Sequence, residues 1–94
     1  MTINQEDNGE KGAFYIMENG VRAAEMTYVW AGANKIIIDH TEVGDSLRGT
    51  GAGRQLVQAS VHFAREKGLE ILPLCPFARS VFDKVVDFQD VLSK

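Results

Sequence analysis

The chain has 94 residues, 45% of them hydrophobic and 24% charged, and a net charge of −3. That length holds one domain, which buries somewhat over ~60% of its unfolded surface without needing staples. The acidic balance and the lack of a Lys/Arg stripe speak against nucleic acid, the single Cys75 excludes a disulfide framework or a cysteine-rich zinc site, and no apolar run approaches the ~20 residues of a membrane span.

The first segment, "MTINQEDNGEKG", is polar and has no apolar core of signal-peptide length. Residues 1–11 read as a frayed, flexible terminus ahead of a single domain over 12–94. A lone cysteine and no signal peptide fit a reducing cytoplasm. "AFYIMENGVRAAEMTYVWA" then reads as a hairpin, with Asn19-Gly20 as its two-residue turn. Alternation puts Arg22, Ala24, Met26, Tyr28 and Trp30 on one face, where core packing is the default for the aromatics. A turn at 32–34 leads into "KIIIDHTEV", a strand whose three isoleucines suggest cover on both faces. On it Ile36, Ile38, His40 and Glu42 share one side, and Ile37, Asp39, Thr41 and Val43 the other.

From Ala52 to Lys67 the period becomes helical, with Ala52, Leu56, Ala59, Ser60, Phe63 and Ala64 in one stripe. Gly68 supplies a left-handed cap, and Arg65 and Lys67 suit the negative helix end. "LEILPL" is a further strand, and Pro76 opens a short second helix, "PFARSVFDKV". The end, "VDFQDVLSK", reads equally as strand, helical turn or docked tail. The fold class is α+β: a mixed, mostly antiparallel sheet, one parallel β-α-β crossover over 35–74, and two main helices.

Between the crossover strand and its helix lies "DSLRGTGAG". A tight strand-to-helix turn explains glycines there. A Rossmann fingerprint needs G-x-G-x-x-G and a longer doubly wound sheet, and a P-loop needs Lys-Ser/Thr where Arg54-Gln55 stand. Anion binding is the remaining possibility. A glycine loop opening a helix presents unpaired N–H groups at the positive end of the dipole, with Arg48 at the rim.

The stretch from Val43 to Leu56, "VGDSLRGTGAGRQL", resembles the acyl-CoA-binding signature of the GNAT superfamily of N-acetyltransferases. That signature is Q/R-x-x-G-x-G/A, matched at Arg48, Gly51 and Gly53, and the resemblance covers residues 12–88. It implies acetyl or short acyl transfer from acetyl-CoA to an amine on a small molecule, peptide or protein, while charge and hydropathy point to no nucleic-acid or membrane partner. It implies coenzyme A contacts at Val43, Arg48, Gly49, Thr50, Gly51, Ala52, Gly53, Cys75 and Phe77. The pyrophosphate would lie on the loop amides, the pantetheine would lie between two splayed parallel strands, and the Val43 amide would polarise the thioester.

Two departures bear on this. The helices that usually follow the first strand are replaced by the Asn19-Gly20 turn, so the acceptor side should be open. Phe82 stands where many members carry a tyrosine that protonates the departing thiolate. Both departures also suit a non-catalytic acyl-CoA-binding or interaction module that retains the cofactor loop.

Three side chains remain as candidates for chemistry. Cys75 precedes Pro76 as the N-cap of the second helix, a setting that favours thiolate. It is an acyl acceptor, an acid toward the leaving thiolate, or a small packed side chain. His40 and Glu42 are candidate bases for the attacking amine, or a solvated strand end. His62 falls on the polar side of the long helix. Neither histidine has partners at ligand spacing, so no metal site is expected.

Overall fold

A computed structural model describes residues 1–93. Its elements are the strands β1 (Asn4–Asp7), β2 (Lys11–Glu18), β3 (Val21–Trp30) and β4 (Lys35–Val43), the helix α1 (Ala52–Lys67), the strand β5 (Glu70–Pro73) and the helix α2 (Pro76–Lys84). The strands form one sheet in chain order, antiparallel except for the parallel β4–β5 pair. Among the described residues, no helix is long and apolar enough to cross a membrane.

The turn between β2 and β3 has Asn19 at φ 53° and Gly20 at φ 81°, the left-handed pair that a two-residue hairpin demands. Segment 4–7, expected to fray, is instead an edge strand paired with β2. Asp7 ties it down. Its carboxylate accepts from the Tyr28 hydroxyl at 2.6 Å, the Trp30 indole N–H at 2.9 Å and the Gly9 N–H at 2.7 Å. Side-chain bonds that reach from Asp7 to the far end of β3 are invisible to local composition.

Both helices pack on one face of the sheet. Met26, Tyr28, Ile36, Ile38, Leu56, Ile71 and Phe82 are fully buried between the layers, each worth about 1.5–3 kcal/mol of apolar burial. The buried side of α1 also includes Val57 and Val61, while Phe63 sits at its edge. β4 is therefore covered on one face, not two: Ile37 on the other side is only half-buried. The C-terminal segment is docked. Val86–Val91 forms a 3-10 helix with Phe88 and Val91 buried, and Leu92 bridges to Ile71.

Two bulges decide which side chains share a face. In β3, Ile16 pairs with Ala24 and Met17 with Arg22, so Ala23 is extra and Arg22 turns to the open face. In β4, Tyr28 pairs with Ile38 and Thr27 with His40, so Asp39 is extra. A bulge shifts the alternation by one residue. Beyond Asp39 it is Thr41 and Val43 that follow Ile36 and Ile38 onto the helix side, opposite Met26 and Ala24. His40 and Glu42 go to the open face, which corrects the grouping that strict alternation predicts.

Candidate active site

The loop between β4 and α1 is anchored at both ends. Gly44 N–H donates to Ala23 O in the β3 bulge at 2.7 Å, and Leu47, in the 3-10 turn Asp45–Leu47, is buried beneath it. The Thr50 N–H and hydroxyl both return to Leu47 O. Between these anchors Gly49 and Gly51 adopt φ of +77° and +83°, with open space where a Cβ would stand. Left-handed backbone, rather than crowding, calls for glycine at both. Gly53 has another reason: a Cβ there would overlap the ring of Phe77.

This geometry leaves donors free. The first bond of α1 runs from Gln55 N–H to Gly51 O at 3.0 Å. Among the described residues, the N–H groups of Gly51, Ala52, Gly53 and Arg54 have no backbone acceptor, and no side chain caps the helix. The first turn has no acidic residue, although a carboxylate there would suit the dipole. Arg54 occupies it instead.

These amides open onto a groove of about 470 Å³ between the loop, the end of β4 and α2. Among the described residues its lining includes Arg48, Arg54 and Lys84 and no carboxylate, in a chain whose net charge is −3. Arg48 Nε lies 3.3 Å from Asp45 Oδ1 at a largely exposed site, too solvated a pair to hold the guanidinium from another anion. Of the residues expected around a cofactor, Val43, Arg48, Gly49, Gly51, Ala52, Gly53 and Phe77 line the groove, while Thr50 and Cys75 do not. Arg54, Ser80 and Lys84 line it without having been anticipated. Ser80 and Lys84 follow Phe77 by three and seven residues, one face of α2, but nothing local to α2 says that this face meets the loop.

Cys75 caps α2 behind the groove. The N–H groups of Leu74 and Cys75 both donate to Ile38 O, at 3.0 and 3.1 Å, as the chain leaves the sheet. The thiol is 7% exposed, and its sulfur lies 3.4 Å from Thr41 Oγ1. Burial pushes this thiol up, but the Thr41 hydroxyl and the N–H groups of Ala78 and Phe77 outweigh it, leaving the pKa below the ordinary thiol value. Phe82 is fully buried, its ring edge-on to Phe88 at 6.4 Å, and offers no proton.

His40 and Glu42 lie across β4 from Cys75. Nε2 and Oε2 are 3.6 Å apart, with side chains 63% and 75% exposed. The last β4–β5 pair is Ile38 with Pro73, so Asp39–Val43 continue without a strand on that side.

Comparison with known proteins accords with this geometry. A family model described as GCN5-related N-acetyl-transferase matches residues 13–91. The NMR solution structure of a GCN5-like protein from Staphylococcus aureus is 38% identical, with a TM-score of 0.71, covering 96% of this chain and 87% of that one. Protein NATD1 of Xenopus tropicalis is 29% identical over 75 residues, 79% of this chain and 69% of its own length. At the level of fold alone, AAC(6')-Iy in complex with the bisubstrate analog CoA-S-monomethyl-acetylneamine has a TM-score of 0.59 and 16% identity, over 82% of this chain and 61% of that one.

Proposed function

The chain belongs to the GCN5-related N-acetyltransferase family, and on that premise we propose that it transfers an acetyl or short acyl group from acetyl-CoA to an amine. The observation that carries the reading is the run of N–H groups from Gly51 to Arg54 that find no acceptor among the described residues, opening onto a groove lined, among the same residues, by three cations and no carboxylate. A diphosphate has the charge and the acceptor oxygens that this surface lacks. The apolar ring of Phe77 and the Val81 and Val85 side chains continue the groove, which suits the less polar arm of coenzyme A.

When bound, acetyl-CoA supplies an activated thioester carbonyl. The chain's residues do the rest. Gly51, Ala52 and Gly53 amides with Arg48, Arg54 and Lys84 hold the phosphates. The Val43 amide, on the unpartnered end of β4, donates to the carbonyl oxygen as charge develops there. Glu42, or His40 beside it, takes the proton that the amine loses as its nitrogen bonds to the acyl carbon. The C–S bond then breaks, and the thiolate leaves. An alkyl thiol has a pKa near ~8.5, so the thiolate departs without an acid in the place of Phe82.

Direct attack is the favoured route. Cys75 is almost fully buried and lies outside the groove lining, which fits a role in packing and in holding Thr41 more than an acyl-enzyme. The buried Phe82 is the observation that favours a binding module without chemistry, and turnover separates the two readings. Acetyl-CoA should shift the amides of Gly49–Arg54 in an NMR titration and release free coenzyme A only when an amine is added. Binding without amine-dependent release would leave the module, and no shift in the loop would remove both readings.

A further inference from the structure

Thr41 owes its position to the bulge at Asp39, which turns it, rather than His40, to the helix side of β4. Gly44 N–H donates to Ala23 O across the sheet. Alternation therefore points the N–H groups of Thr41 and Val43 the other way, to the edge that β5 leaves uncovered beyond Pro73. The two strands part at Ile38, whose carbonyl accepts from the N–H groups of Leu74 and Cys75 at 3.0 and 3.1 Å. Just past that point Cys75 Sγ lies 3.4 Å from Thr41 Oγ1, so a side-chain contact spans the narrow end of the gap. The groove beside the glycine loop reaches Val43 and stops short of both residues. Thr41 has little freedom to retreat. It is β-branched and stiff about its first torsion, the sulfur stands on one side of it, and its cross-strand partner Met26 is fully buried.

We infer that Thr41 limits the length of the acyl group by its bulk, with the Cys75 sulfur as its backstop. The inference rests on the acetyl-transfer reading and narrows the donor from short acyl thioesters to the acetyl one. In that reading three directions around the acyl carbon are taken. The oxygen turns to the Val43 N–H, the sulfur to the groove, and the attacking amine to the side of Glu42 and His40. The acyl chain keeps the fourth direction, down the gap toward Thr41. Same-face neighbours on a strand are about 7 Å apart, and a carbonyl bonded at Val43 takes up the first part of that interval. A methyl group suits the remainder. Each further methylene presses on Thr41, and a packed wall resists that pressure.

The test titrates the intact, isotope-labelled protein separately with coenzyme A, acetyl-CoA, propionyl-CoA and butyryl-CoA. All four should shift the Gly49–Arg54 amides, and acetyl-CoA should also shift Thr41 and Val43, which coenzyme A alone leaves in place. Butyryl-CoA should bind about tenfold more weakly than acetyl-CoA, the scale on which a pocket weighs a methylene, with propionyl-CoA between them. Thr41→Ala should bring butyryl-CoA to within about twofold of acetyl-CoA. Thr41→Val keeps the branch, loses the hydroxyl and should retain the about tenfold preference. Cys75→Ala opens the gap from its other wall and should weaken the preference as well. It decides the matter if Thr41→Ala lacks the loop shifts that report a folded protein. Three thioesters binding the parent equally, or falling alike in Thr41→Ala, would overturn the length limit while coenzyme A on the loop leaves acetyl transfer standing. A preference lost equally in Thr41→Val would overturn bulk as its cause. If coenzyme A itself leaves the loop unshifted, acetyl transfer falls and the limit falls with it.

Discussion

The ring of Phe77 lies directly over Gly53, so closely that a Cβ at position 53 would overlap it. Helix α1 therefore starts against α2 through a glycine–aromatic contact, and the groove takes its shape from that contact. Gly53→Ala must push out a ring that is 41% exposed and can yield toward solvent, so the clash should cost about 1 kcal/mol, partly offset by alanine's better helix propensity. In a Phe77→Ala background the same substitution should cost much less, as a double-mutant cycle in urea would read. Equal costs in both backgrounds would clear Phe77 of the clash.

Gly51 presents the opposite case. Its φ of +83° sits in open space, so the expense of a side chain lies in the backbone. Gly51→Ala should destabilise by about 1 kcal/mol, and Gly51→Asn by visibly less because asparagine tolerates left-handed geometry. Thermal unfolding of the two variants side by side checks the ordering, and an equal loss would point to contacts instead.

Glu42→Gln should reduce amine-dependent turnover by about 10²–10⁴-fold while leaving acetyl-CoA affinity within about twofold. The carboxylate lies on the open face, away from the residues that line the groove beside the glycine loop. Steady-state rates together with calorimetric titration separate the two effects. A parallel fall in both would return Glu42 to a structural role.

Asp7 carries a pH signature. Burial pushes its carboxyl up, but the Tyr28 hydroxyl, the Gly9 N–H and the Trp30 indole outweigh that and hold it below the usual 3.8. A depressed carboxylate contributes stability that is fully present above 3.8 and lost as pH falls through the folded value. Asp7→Asn should therefore cost about 1 kcal/mol near neutral pH, allowing for solvent screening at this exposed site. The gap between variant and parent should close in acid, and denaturant melts across that range would show a constant gap if β1 were held in some other way.

Glu25→Gln removes both the like-charge pair with Glu42 across β3 and β4 and the attraction of the Arg22 guanidinium, so the two effects should offset and leave stability within about 0.5 kcal/mol of the parent. Glu25→Gln in an Arg22→Ala background should instead stabilise by about 0.2–1 kcal/mol, a gain in melting temperature that shrinks at high salt. A loss in that background would mean that Glu25 serves the fold.

Much of the architecture was legible in the residues. Asn19-Gly20, the helical period from Ala52, Gly68 and Pro76 each act within a few residues of themselves, so the hairpin, both helices and the parallel crossover could be placed without coordinates. The glycine loop was legible too, since its spacing before a helix is itself the signal. Segment 4–7 was not, because the side chains that bond Asp7 and hold it, Tyr28 and Trp30, lie more than twenty residues away.

By itself, then, the sequence determined the order and kind of the elements and the existence of a glycine loop at the start of a helix, because periodicity, turn chemistry and helix-end donors are local properties. Only the tertiary structure decided which side chains work together. A bulge is fixed by the neighbouring strand, so alternation could not reveal that Asp39 turns His40 and Glu42 away from Cys75. The cations Arg54 and Lys84 come from different helices, and packing alone brought them to one groove.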